Sequence, residues 1–225
     1  MKKLLVALLA FSLILLTGCV DVVFHLTINR DGSGTYTTEV LMDSSWLDMM
    51  REDDGEDPLL EIGEDAEMEG WTVEYFTSED ETQEGVRVTM ELDSITVEAL
   101  DTDDDMAFSG QGLRMTEVGG GTKYEFDLVI DLTDMGEMEG MEDFLSYTFK
   151  ISLPFKADTH NATSISENER ELTWTLRPGH VNEIQFTAVD GGGGLGSILL
   201  WVGIIGGAVL LLIVVIVIIV VIKKR

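Results

Sequence analysis

Residues 20–42, VDVVFHLTINRDGSGTYTTEVLM, decide how the rest of the chain is read. Val20, Val22, Phe24, Leu26 and Ile28 alternate with Asp21, His25 and Thr27, the period-two pattern of a strand with one face buried. Arg30-Asp31-Gly32-Ser33-Gly34 then supplies turn residues, and Tyr36, Thr38 and Val40 resume the alternation. The segment is therefore predicted to be a β-hairpin.

On the N-terminal side, Lys2 and Lys3 precede an apolar run from Leu4 to Leu16 that is too short to cross a bilayer, the pattern of a cleaved export signal over residues 1–18. The run ends in Leu16-Thr17-Gly18-Cys19, which resembles a bacterial lipobox, so Cys19 is expected to carry a diacylglycerol anchor and to become the new N-terminus. It is the single cysteine of the chain, which excludes an internal disulfide.

At the other end, residues 198–222 contain no charge, and 25 residues at ~1.5 Å each give ~37 Å of helix, enough to cross ~30 Å of hydrocarbon. The basic tail over residues 223–225 places that end in the cytoplasm by the positive-inside rule. The expected organisation is a signal over 1–18, an extracytoplasmic domain over 19–189, a glycine-rich linker over 190–197, a transmembrane helix over 198–222 and a cytoplasmic tail. Gly203 and Gly207 have the spacing of a helix-pairing motif.

All 42 acids lie between Asp21 and Asp190, against nine basic residues in the same stretch, an excess of 33 negative charges. Such a domain repels nucleic acid and anionic head groups.

Further strands are expected at Trp71, Val73 and Tyr75 and at Val86, Val88, Met90 and Leu92, joined by a polar turn over Glu79–Gly85. The clearest alternation runs through Tyr124, Phe126, Leu128 and Ile130, and through Tyr147, Phe149, Ile151 and Leu153. Leu172, Trp174 and Leu176, the turn Arg177-Pro178-Gly179, and Ile184, Phe186 and Ala188 read as a closing hairpin. Asp43-Ser44-Ser45 caps a short helix through Met50, and Asp93-Ser94 another through Leu100. Residues 52–69 read as a solvated excursion with at most a turn or two of helix. Met135, Met138 and Met141 sit in an acidic, glycine-bearing segment read as a loop.

Candidate sites are few. Asp101, Asp103 and Asp105 have the spacing that opens a calcium loop, but Met106 and Gly112 occupy the places of its glycine and closing glutamate, so an exposed acidic loop is the expectation. His25, His160 and His180 are far apart, and no hydrolase, metalloprotease or phosphate-loop signature is present. Asn161-Ala162-Thr163 is a formal glycosylation sequon. The expectation is a chain that is not an enzyme and needs no cofactor or metal.

Taken together, Cys19-Val20-Asp21-Val22, Asp31-Gly32-Ser33-Gly34, Gly85-Val86-Arg87-Val88, Pro154 with His160-Asn161-Ala162-Thr163, Leu172-Thr173-Trp174 and Pro178-Gly179 resemble the LppM-type lipoproteins of bacterial envelopes. The resemblance implies an α+β ectodomain with a curved antiparallel sheet and short helices, and a role in binding lipid. Two functions are then open: a binding module for a lipid or other envelope amphiphile, and an interaction module for another envelope protein. The first predicts a deep apolar pocket between sheet and helices, with Trp46, Trp71, Phe126, Phe149 and Trp174 as lining residues; the second predicts a filled core and a flat exposed patch.

Overall fold

A computed structural model describes residues 20–53, 57–79, 81–100, 107–133 and 145–191. Cys19, the calcium-like loop at 101–105, the methionines at 135, 138 and 141 and the apolar stretch 198–222 lie outside the described residues. Among the described residues no helix is long and apolar enough to cross a membrane.

The chain order is β1 (Val20–Ile28), β2 (Gly34–Asp43), α1 (Ser44–Asp53), α2 (Pro58–Met68), β3 (Thr72–Thr77), β4 (Gln83–Leu92), α3 (Val97–Leu100), β5 (Ala107–Val118), β6 (Gly121–Asp131), β7 (Leu145–Ser152), β8 (Thr159–His160), β9 (Ser164–Ile165), β10 (Glu171–Leu176) and β11 (Val181–Asp190). It is an α+β arrangement, mostly sheet with a few short helices. Two sheets form, one in the order β3-β4-β2-β1-β7-β10-β9 and one in the order β5-β6-β11-β8.

The hairpin expected over 20–42 is present, with Val20 opposite Met42 and Ile28 opposite Gly34. The residue at 34 has to be glycine, because a Cβ there would lie 2.1 Å from the carbonyl oxygen of Thr27. The expected single antiparallel sheet is corrected in two respects. β1 and β7 run parallel at the centre of the larger sheet, Val20 beside Leu145 and Phe24 beside Phe149. The second sheet is a separate layer.

The expected closing hairpin is also corrected. β10 pairs with β7 and β9 in the first sheet, whereas β11 pairs with β6 and β8 in the second. Pro178 and Gly179 make the turn, but it carries the chain from one sheet to the other. There Asn182 Oδ1 accepts from Arg177 N at 2.8 Å, and Gly179 N donates to Leu132 O at 2.8 Å.

Residues 52–69 hold more helix than expected. Asp57 accepts from the amides of Leu59 and Leu60, and Pro58 at the first helical position needs no amide partner, so the Asp-Pro pair opens α2. Arg51 at the end of α1 reaches Asp57 at 2.6 Å and Glu84 on β4 at 2.8 Å, which pins both helices to the sheet. β5 was not foreseen: most of its side chains are exposed, so the apolar alternation is missing. A bulge between Gly110 and Gly112, with φ of +121° and +67°, shifts its register against β6.

Two cores result. The larger lies between the sheets and joins Phe24, Phe149, Ile151 and Trp174 to Phe126, Leu128, Ile130 and Phe186. The smaller lies under α1 and α2 and contains Val20, Val40, Met42, Leu47, Leu59, Val86 and Val88.

Candidate functional site

The five aromatic residues expected to line a ligand pocket fall into these two cores. Phe126, Phe149 and Trp174 are buried in the larger, with Phe149 and Trp174 edge to face at 6.5 Å and Phe126 stacked on Phe186 at 5.6 Å. Trp46 and Trp71 are half-buried against the smaller. The structure therefore brings three of the five together as packing and separates them from the other two; of the five, Phe126 also lines a groove.

Among the described residues one concavity is lined mostly by polar residues, with Phe126 and Phe186 at its base. A groove of about 460 Å³ crosses the second sheet, lined by Gln111, Gly112 and Arg114 of β5, Glu125 to Asp127 of β6, Thr159 and His160 of β8, Asn161, and Gln185 to Thr187 of β11. The strand period produces it. Tyr124, Phe126, Leu128 and Ile130 turn into the core, so Glu125 and Asp127 face outward, and Ile184, Phe186 and Ala188 turn in, so Gln185 and Thr187 face outward beside them.

The floor is a hydrogen-bonded array. Glu125 accepts from Lys123 Nζ at 2.7 Å and from Arg114 at 3.0 Å, bonds that hold its carboxyl below the usual range. Asp127 accepts from Gln185 Nε2 at 3.1 Å, and the Thr159 and Thr187 hydroxyls meet at 2.7 Å. Asn161 occupies one wall with its amide engaged: Oδ1 accepts from Trp174 Nε1 at 2.7 Å and Gln185 N at 2.9 Å, while Nδ2 donates to Glu183 O at 2.9 Å. The formal sequon is thus a structural bracket here.

A smaller recess of about 280 Å³ lies between α1, α2 and the β3–β4 edge, lined by Arg51, Asp57, Leu59, Leu60, Tyr75 and Glu84 among others. The histidines are dispersed: His25 Nε2 meets Ser152 Oγ at 2.8 Å, His160 Nδ1 accepts from Ala162 N at 3.2 Å, and His180 Nδ1 lies 3.0 Å from Pro178 O. Among the described residues no three His, Cys, Asp or Glu side chains converge as metal ligands.

The profile of the LppM domain matches residues 21–190 of this chain, three quarters of its length. The chain belongs to the LppM domain family. This LppM domain is similar to the folded domain of Mycobacterium tuberculosis LppM, solved by NMR, at 12% identity and a TM-score of 0.44 over 78% of this chain and 93% of that one. No curated protein matches the chain. Sequence reasoning missed the groove of the LppM domain because Arg114 lies on the unforeseen β5, and because Thr159 to Asn161 are placed beside β11 by a two-residue strand too short to leave a period.

Proposed function

We propose that the protein is a membrane-anchored envelope lipoprotein, held by acylated Cys19 and a transmembrane helix over 198–222, whose ectodomain is a non-enzymatic recognition module. Its ligand is an envelope amphiphile gripped by an uncharged, hydroxyl- or amide-bearing head group in the groove of the second sheet. The groove carries this reading: nine of its twelve lining residues are polar or charged, Phe126 and Phe186 add an apolar edge, and Phe149 and Trp174, with Trp46 and Trp71, pack on the cores. The excess of 33 negative charges supports an uncharged head over an anionic one, and likewise argues against nucleic acid. An envelope protein docking across the same face is the second reading, favoured by the filled cores.

Trp174 is a built-in reporter, because its indole donates to the groove residue Asn161. In nanodiscs, a neutral glycosylated diacylglycerol is expected to change the Trp174 emission with a saturable dependence, phosphatidylglycerol to leave it flat, and Asp127→Ala to abolish the response. A flat titration with neutral glycolipids of several head groups would remove the amphiphile reading and leave the protein-docking one.

A further inference from the structure

Resting on the two-anchor reading above, we infer that the ectodomain lies on its side along its own bilayer, with β1 close to the membrane plane, because its two chain exits are at opposite ends of that strand.

Val20, the residue after the acylated cysteine, is also the first residue of β1, so no spacer separates the lipid from the central strand of the larger sheet. The other exit is Asp190, the last residue of β11. It is ion-paired with Arg30 at 3.0 Å, and Arg30 lies in the turn at the far end of β1. The turn is fixed there by a second bond, Tyr124 Oη donating to Arg30 O at 2.7 Å. The eight steps of ~3.3 Å from Val20 to Ile28 put the exits about 26 Å apart.

From Gly191 to Ser197 the chain has seven residues before the apolar stretch begins. Seven residues reach at most ~25 Å when fully extended, and a glycine-rich segment averages only ~5–6 Å × √n, here about 13–16 Å. A domain standing with β1 perpendicular to the membrane would hold Asp190 about 26 Å above the bilayer, a height that only a fully stretched segment spans and that is well beyond its average reach. With an average segment, β1 is inclined to the membrane plane by no more than roughly 40°.

The surface around Asp190 fits such a position. Val118 and Val189 are exposed there, at 37% and 40%, and Arg30 and Lys123 stand among the carboxylates of Asp31, Glu117, Glu125 and Asp190, so the contact suits an uncharged or zwitterionic lipid surface. The bilayer surface is thus the partner of this end of the domain, brought against it by the strap of chain.

The full chain in phosphatidylcholine vesicles containing an acceptor-labelled lipid tests this, with the introduced thiol as the one reactive cysteine because Cys19 is acylated. Gly119→Cys marks the turn beside Asp190, where a new side chain meets no atom within 4 Å. Ser146→Cys marks the other end, since Ser146 pairs with Asp21. Energy transfer is expected to place both probes within about 25 Å of the bilayer, and twenty Gly/Ser residues inserted after Gly192 are expected to move the Gly119 probe outward by 10 Å or more and leave the Ser146 probe in place. A Gly119 probe farther than 30 Å in the natural chain, or one unmoved by the insertion, overturns the inference. The same sample is checked for acyl mass on Cys19 and for protection of residues 223–225 from external trypsin: if either fails, the two-anchor reading falls as well, and if both hold, contrary distances overturn the lying posture alone.

Discussion

Asn161 Oδ1 accepts a hydrogen bond from the indole nitrogen of Trp174 at 2.7 Å, and this bond ties the wall of the polar groove to the core between the sheets. Trp174 is almost fully buried, and Asn161 is the partner of its N–H. Asn161→Ala leaves that donor unpaired and also removes the partners of Gln185 N and Glu183 O, at a cost of about 1–3 kcal/mol. Asn161→Asp keeps the acceptor and should cost less. Urea unfolding followed by tryptophan emission checks this; equal losses for the two variants would show that the bond to Trp174 is not the cause.

Two glycines give opposite expectations. A Cβ at Gly34 meets the Thr27 carbonyl at 2.1 Å within the β1–β2 ladder, where neither backbone can retreat without breaking the register, so Gly34→Ala should destabilise by about 1–3 kcal/mol or more. Gly119 faces open space, and Gly119→Ala should be close to neutral. Thermal unfolding of the two variants side by side is the measurement, and similar midpoints would contradict the hairpin geometry.

The same hairpin shows what is legible from sequence. Its even-numbered residues are apolar because one face of a long strand is buried, and a period of two survives in any such strand; Tyr124 to Ile130 and Tyr147 to Ile151 were readable for the same reason. β5 was not, since an edge strand whose side chains are mostly exposed has no reason to alternate. Nor was the destination of β10 and β11. A tight turn between two strands is local information, whereas the choice between joining them and sending them to different sheets is made by Phe149 and Phe126, distant in sequence, each of which supplies the neighbouring strand. An alternating pattern of aromatic side chains cannot distinguish a core from a lined cavity, and the groove depends on residues from four strands and left no mark in any one of them.

His25 gives the pH dependence a sign. Burial lowers its pKa, with Lys150 acting in the same direction and Glu171 and Glu39 opposing. Above pH 6.5 the imidazole is neutral in both folded and unfolded chains and contributes nothing. As the pH falls through 6.5 the unfolded chain takes up the proton first, so stability is lost until the folded pKa is also passed. His25→Gln, which can still meet Ser152, should therefore flatten the difference in melting midpoint between pH 7 and pH 5 relative to the natural chain. The carboxylates held low by hydrogen bonds, among them Asp31, Asp131 and Glu125, lose their contribution only below about pH 4.5 and leave this window clear. An unchanged pH profile in the variant would count against the burial of this histidine.

Salt should stabilise the domain. Its nine basic residues face 42 acids, and among the described residues Arg30, Arg51, Arg87, Arg114, Lys123 and Lys156 are already in ion pairs. Folding concentrates the remaining negative charges on one small surface, and their mutual repulsion opposes it. Raising KCl from 0.05 to 1 M shortens the screening length from more than 10 Å to about 3 Å, which weakens repulsion across the whole surface. The same screening weakens the exposed ion pairs, but each of those contributes only about 0–1 kcal/mol, so the repulsive term should decide the sign. A gain of roughly 1–2 kcal/mol corresponds to a rise in melting midpoint of about 2–8 °C for a domain of this size. The rise should saturate near 1 M and should be smaller at pH 4, where many carboxylates are protonated. A midpoint that falls with added KCl at pH 7 would mean that the ion pairs around Arg51, Arg87 and Glu125 outweigh the repulsion.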